Sequence, residues 1–221
     1  MLYLTIGDRF QMQRAQNLLD DGGKIIRINT DGSIPPDNPF VGRDDALPEI
    51  YSYGHRNPQG IIGNAGDGQL WSIEQGPKGG DELNIITSGS NYGWPIVTYG
   101  VNYDDSIIST LTTAPGMVDP VHHWVPSVAT ASLVAYTGNV MPDDWQGNFL
   151  VGTLVGQCLI RLEVTNGVVT RERRYFHDKI GRIRDVAVSP DGFIYLLTDG
   201  TEASLYRLEP IEDLVAKAKP F

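Results

Sequence analysis

Ser189-Pro190-Asp191-Gly192-Phe193-Ile194-Tyr195-Leu196-Leu197-Thr198-Asp199, followed by Ser204-Leu205-Tyr206-Arg207-Leu208, is the stretch that decides the fold. It runs strand, Asp-Gly hairpin turn, aromatic-bearing strand, loop, third strand, and Asp-Gly is the expected chemistry of a tight hairpin. The same order recurs at Gly66-Asp67-Gly68-Gln69-Leu70-Trp71-Ser72-Ile73-Glu74 followed by Asp81-Glu82-Leu83-Asn84-Ile85-Ile86. A weaker copy occupies residues 132–138, 148–153 and 157–164. Repetition of such a unit is how the blades of a β-propeller show themselves in sequence.

Working outward, residues 1–8 align with the second strand of a blade and residues 23–29 with the third, while the first strand and its Asp-Gly turn have no counterpart. Candidate strands are residues 2–7, 24–29, 60–64, 69–74, 83–87, 132–137, 148–153, 157–164, 168–175, 183–189, 193–198 and 204–208. The spacing predicts an all-β chain of about three and a half propeller blades, part of a larger propeller, with a small closed propeller as the alternative. Residues 1–210 form one partial-propeller domain in this reading, and residues 211–221 a tail or short helix. A further turn of helix is expected around residues 14–19.

The chain has 221 residues, 41% of them hydrophobic, enough for a sizeable core. Its formal net charge of -10 argues against a nucleic-acid partner, because phosphate binding is driven by basic patches. Cys158 is the one cysteine, which excludes a disulfide framework and a cysteine zinc site. No apolar run approaches the roughly 20 residues of a membrane-spanning helix. The N-terminal MLYLTIGDRF lacks the basic, apolar and small-residue zones of a signal peptide.

Chemistry concentrates in Gly54-His55-Arg56-Asn57-Pro58-Gln59-Gly60 and Glu74-Gln75-Gly76-Pro77-Lys78-Gly79-Gly80-Asp81-Glu82. Arg56 offers a rigid fork for anionic oxygens, while Asn57, Gln59 and Gln75 supply neutral donors and acceptors. The carbonyls of a Gly76-Pro77 turn, with a carboxylate such as Glu82, suit a hard cation such as calcium. An ordinary hairpin carrying a surface ion pair accounts for the same residues.

The runs GHRNPQG (54–60), EQGPKGGDELN (74–84), SNYGWP (90–95), GRIRDVAVSPDGFIYLLTD (181–199) and DGSIPPDNPF (31–40) resemble the glucose/sorbosone dehydrogenase family, the soluble aldose dehydrogenases that use pyrroloquinoline quinone (PQQ). The resemblance implies a six-bladed β-propeller, PQQ on its top face and calcium at the cofactor, with an aldose as substrate and an external electron acceptor. It puts the quinone-contacting arginine on Arg56, with Asn57, Gln59 and Gln75 beside it, and the cofactor's calcium on the carbonyls of Gly76 and Pro77. A second calcium site falls on Glu82 and on Tyr92, the latter through its backbone. Arg182 and Arg184 match the pair that holds the cofactor's carboxylates, and alternation along a strand predicts both on one side. All of these are expected to converge on one face. The resemblance also implies a periplasmic or secreted location.

Two departures accompany the likeness. The family's catalytic base is a histidine upstream of the LYLTIGD strand, oriented by the aspartate that matches Asp8, and no residue precedes Met1. His55 neighbours Arg56, His122 and His123 are expected in a loop, and His177 follows an aromatic pair, so none replaces it. Val155 stands where the family commonly has a cofactor-binding lysine. These features predict a quinoprotein aldose dehydrogenase that turns over sugar poorly or not at all as this chain alone, with self-association through open propeller edges. A non-catalytic propeller that binds carbohydrate or protein is the competing function.

Overall fold

The computed structural model describes residues 1–63, 66 and 68–210. Among the described residues fourteen strands form four antiparallel sheets, each built from strands consecutive in sequence. β1 (Leu2–Ile6), β2 (Lys24–Ile28) and β3 (Ile50–Tyr53) make the first sheet. β4 (Pro58–Gly63), β5 (Leu70–Glu74), β6 (Asp81–Ile86) and β7 (His122–Trp124) make the second. β8 (Thr130–Ala135), β9 (Phe149–Thr153), β10 (Leu159–Thr165) and β11 (Val168–Tyr175) make the third. β12 (Ile183–Val188), β13 (Ile194–Thr198) and β14 (Leu205–Leu208) complete the fourth. The first strands β4, β8 and β12 pack against one another while the later strands of each sheet lie farther out. That is a radial array of propeller blades, and fourteen strands are three and a half blades of four.

Period-two alternation explains why neighbouring sheets stick together. Every residue of β9 is buried, because its sheet is covered on both faces. Phe149 and Val151 point into a cluster with Trp71, Ile73 and Leu83 of the second sheet, whereas Leu150 points the other way, into a cluster with Ile183, Val186 and Leu196 of the fourth. β10 repeats the pattern, with Ile160 and Leu162 on one side and Leu159 on the other. Each such side chain contributes about 1.5–3 kcal/mol by leaving water. Trp71 meets Phe149 edge to face with centroids 5.0 Å apart.

Two strands differ from the sequence expectation. β3 lies outside the candidate strands, and His122 and His123, expected in a loop, lie on β7, where Glu82 pairs with His123 and Leu83 with His122. Both are short outer strands that need only one partner ladder, so their sequences carry little alternation. The helical turn expected at residues 14–19 is a 3-10 turn at Met12–Gln16. Lys24, fully buried, pins that turn by donating Nζ to the carbonyls of Arg14 at 2.8 Å and Gly22 at 2.7 Å, and burial lowers its pKa to about 8. The segment expected as a tail or helix, 211–221, lies outside the described residues, as does Asp67 of the second Asp-Gly turn.

Candidate functional site

Gly54 turns the chain out of β3 with a φ of 77°, and a side chain there would collide with Asn91 Oδ1 and the Gly93 amide. The turn delivers His55 and Arg56 to the start of β4, opposite the end of β5. His55 is buried: its Nε2 lies 2.9 Å from Ser52 Oγ, its Nδ1 3.2 Å from Glu74 Oε1, and its ring stacks on Tyr92 with centroids 4.6 Å apart. The other oxygen of Glu74 accepts the Arg56 backbone N–H at 2.7 Å. A buried His–Glu pair thus fixes the backbone of the arginine.

The Arg56 guanidinium is fixed in turn. Nη1 donates to the carbonyls of Gln75 at 2.9 Å and Gly76 at 2.7 Å, Nη2 donates to the Tyr103 hydroxyl at 3.3 Å, and the group sits 5.7 Å from the Trp94 ring centroid. Nε and one Nη2 hydrogen have no protein acceptor among the described residues. The Arg56 carbonyl accepts the Asp8 backbone N–H at 2.8 Å. Asp8 Oδ2 takes the Trp94 indole N–H at 2.8 Å and Oδ1 the Phe10 N–H at 2.9 Å. Asp8, Arg56, Asn57 and Gln59, together with Arg9 and Phe10, line one hollow of about 280 Å³. Among the described residues no histidine lines it.

Gln75 joins this hollow to the neighbouring blade. Its side chain accepts from Asn57 Nδ2 at 3.3 Å and donates to the Thr130 carbonyl, at the start of β8, at 2.8 Å. Thr130 pairs with Thr153 at the end of β9, where Gly152 abuts Ile183 at the start of β12. Asp8, Arg56, Gln75, Thr130 and Ile183 therefore follow one another along the same end of the sheets. Arg182 and Arg184 flank Ile183, and both reach Asp199 Oδ2, at 3.1 Å and 2.8 Å. Their guanidiniums stand on the same side and are 45% and 44% exposed, and they line neither the Arg56 hollow nor the cavity beneath it.

That lower cavity, about 10 Å³, is lined by Arg56, Gln75, Gly76, Glu82 and Tyr92 among others, and is no larger than one water molecule needs. Burial pushes the Glu82 carboxyl well above the usual carboxylate range, and the neighbouring Glu74 pushes it further. A single donor, Asn84 Nδ2, lies between them, 3.2 Å from Glu74 and 3.1 Å from Glu82. Tyr92 donates its hydroxyl to the Ile85 carbonyl at 2.6 Å, and burial raises its pKa to about 12. Pro77 is buried in the turn after Gly76, whose own carbonyl already accepts from Arg56. Among the described residues no three His, Cys, Asp or Glu side chains gather as a metal cluster.

Several contributors carried no local signal. Asp81, fully buried at the start of β6, accepts the Gly76 N–H at 2.9 Å on Oδ1 and the Val128 and Ala129 N–H groups at 2.8 and 2.7 Å on Oδ2, with Ser127 Oγ 2.8 Å from both oxygens. Burial pushes its carboxyl pKa up against those donors. Trp94 and Tyr103 come from the long segment between β6 and β7. The signal that would have found Glu74 and His55 is position, since each stands directly before a motif residue, Gln75 and Arg56. Val155 is 62% exposed, on the rim of a separate hollow with His122, Trp124 and Glu172. His177 pairs with Asp178 at the surface.

The family model for Glucose / Sorbosone dehydrogenase matches residues 1–207. The aldose sugar dehydrogenase YliI of Escherichia coli strain K12 is 39% identical over 211 residues, covering 95% of this chain and 57% of that protein. The crystal structure of the soluble aldose sugar dehydrogenase of Escherichia coli in its apo-form superposes with a TM-score of 0.90 at 38% identity, over 94% of this chain and 60% of that one. The PQQ-bound form of the aldose sugar dehydrogenase of Streptomyces coelicolor superposes with a TM-score of 0.75 at 28% identity, over 95% of this chain and 58% of that one. The chain thus spans a little over half the length of these relatives.

Proposed function

The chain belongs to the glucose/sorbosone dehydrogenase family, and from that membership we propose that it forms part of a quinoprotein that oxidises aldose sugars with PQQ and passes the electrons to an external acceptor. The observation that carries the reading is the Arg56 guanidinium, immobilised by two carbonyls while Nε and one Nη2 hydrogen stay free beside a polar hollow. When bound, PQQ supplies the two-electron acceptor for the hydrogen on the sugar's C1. Arg56 would hold a quinone oxygen and stabilise the negative charge that grows there, with no reorganisation needed at the moment of reaction. Asn57 and Gln59 would donate to neighbouring oxygens, and Gln75 would hold Asn57 in place. Arg182 and Arg184 fit the cofactor's carboxylates, because one Asp199 oxygen cannot satisfy two forks. Asp8 would orient the catalytic base. A periplasmic or secreted location belongs to the same reading.

Calcium fits the same region. Glu82 is a half-buried hard-oxygen donor whose charge is opposed by Glu74 and relieved by one amide, a situation that a divalent cation improves. With calcium at a hundredfold excess over its dissociation constant, mass action adds about 2.7 kcal/mol. For a chain of this size that is a melting temperature about 5–10 °C higher. Chelation is expected to remove the increment, and Glu82→Gln to abolish the response to calcium. An unchanged melting curve in excess chelator would count against any bound calcium.

The reading is tested by titrating the protein with PQQ, following the quench of tryptophan fluorescence, and then assaying aldose-dependent dye reduction. PQQ-dependent quenching is the expected result, and dye reduction, which needs both PQQ and an aldose, is expected to be weak in a chain that spans a little over half the length of its relatives. Val155, in place of a cofactor-binding lysine, favours a binding module instead, and a protein that binds sugar while PQQ leaves its tryptophan fluorescence unchanged would establish that alternative.

A further inference from the structure

The hollow beside Arg56 has an unused wall. Phe10 is 86% exposed, more than any other large apolar side chain among the described residues, and it lines this hollow with Asp8, Arg56, Asn57 and Gln59. Its placement is enforced. Arg9 and Phe10 both lie in the left-handed region, with φ of 56° and 61°, which non-glycine residues adopt only when the surroundings hold them there. The conformation is held by Asp8, whose Oδ1 accepts the Phe10 N–H at 2.9 Å and whose carbonyl accepts the Gln11 N–H at 3.1 Å. The other oxygen of that carboxylate is anchored by Trp94. An aromatic ring is therefore locked onto the rim of a polar cleft by the same carboxylate that faces the cleft.

With Asn57 and Gln59 facing the cofactor in the reading above, the Phe10 side of the hollow offers a second ligand the exposed ring beside Asp8 and Arg9; a purely apolar occupant would desolvate that carboxylate and guanidinium, and a purely ionic one would gain nothing from a benzyl ring. The combination suits a ligand with a flat C–H face and a hydroxyl rim. We propose that the Phe10 ring is the stacking wall for the pyranose ring of the substrate and sets a preference for aldopyranoses whose hydroxyls are equatorial, since an axial hydroxyl would interrupt the C–H face laid on the ring. The inference rests on the aldose reading above and adds to it a residue and a sugar geometry. Aromatic stacking in such contacts contributes enough to change affinity about 3- to 10-fold.

Methyl β-glucopyranoside, whose C1 is blocked, serves as the probe in saturation-transfer NMR and binding titrations on the cofactor-free protein. Phe10→Gly removes the ring and suits the left-handed backbone; Phe10→Trp keeps a ring. The wild type is expected to show transfer strongest at the axial ring protons. Phe10→Gly should bind about 3- to 10-fold more weakly with an equal or higher melting temperature, and Phe10→Trp should restore binding. With PQQ loaded, Phe10→Gly should raise KM and leave kcat within about twofold. If Phe10→Gly melts several degrees lower and binds sugar normally, the ring is a packing element and the proposal falls. It falls equally if both properties are unchanged, as they would be were the ring a docking point for an electron-accepting protein. Aldose-dependent dye reduction with an unchanged KM in Phe10→Gly overturns this inference alone, whereas a wild type that neither binds the glucoside nor reduces dye overturns the aldose reading with it.

Discussion

Arg56→Ala is expected to lower kcat/KM for an aldose in the PQQ-loaded protein by about 10²–10³-fold, the usual effect of removing one preorganised donor from a developing oxyanion. The expectation follows from how the guanidinium is held. With Nη1 committed to the Gln75 and Gly76 carbonyls, the donors that remain are already aimed and lose little freedom on binding an oxygen. Arg56→Lys keeps the charge but not the fork. One ammonium cannot serve both carbonyls and a ligand in that geometry, so the lysine variant should recover only part of the loss. Because Arg56→Ala also strips two carbonyls of their donor, part of any loss could come from a loosened turn. Kinetics separate the two effects: lost charge stabilisation lowers kcat, whereas a loosened site raises KM and weakens PQQ binding. An alanine variant within threefold of wild type in kcat would remove Arg56 from the chemistry.

The blades were legible where an Asp-Gly turn or a continuous apolar strand marks them. Asp191-Gly192 and the alternation of Phe149, Leu150 and Val151 are local properties of the chain, and a strand covered on both faces must be apolar throughout. β3 and β7 escaped for the converse reason. An outer strand has one neighbour and one covered face, and β7 has three residues, two of them histidine, so neither turn nor alternation marks it. The site divides in the same way. Arg56, Asn57 and Gln59 were legible as a run of polar groups around a proline turn. Phe10 was not, because its distinction is a backbone angle and an exposure, neither of which is written in MLYLTIGDRF. Glu74, Asp81, Trp94 and Tyr103 act across loops and from other blades, and a contact such as Trp94 to Asp8, 86 residues apart, has no local trace.

Asp81 carries the largest expected effect on stability. Its carboxylate, fully buried, gathers the backbone N–H groups of Gly76, Val128 and Ala129 and the hydroxyl of Ser127, tying the turn after β5 to the connection between β7 and β8. In Asp81→Ala those N–H groups stay buried and lose their acceptor, apart from Ala129, which keeps Ser127 Oγ at 3.0 Å. Each buried donor left unmade costs about 1–3 kcal/mol, so the variant should lose about 3–5 kcal/mol, on the order of 10 °C in melting temperature. Asp81→Asn preserves an acceptor for Val128 and Ala129 if its Oδ1 faces them, and turns its amide nitrogen toward the Gly76 N–H. The asparagine variant should therefore lie between alanine and wild type, with its damage concentrated at Gly76. Gly76 has no slack to absorb it, since a Cβ there would overlap the Gly79 carbonyl, and its own carbonyl is one of the two that aim Arg56. A loosened Gly76 turn should thus appear as weaker PQQ binding in Asp81→Asn at temperatures where the fold is intact. Melting within 2 °C of wild type in Asp81→Ala would mean that water or a relaxed loop replaces the carboxylate; a destabilised Asp81→Asn with unchanged PQQ affinity would mean that the turn and the arginine are not coupled.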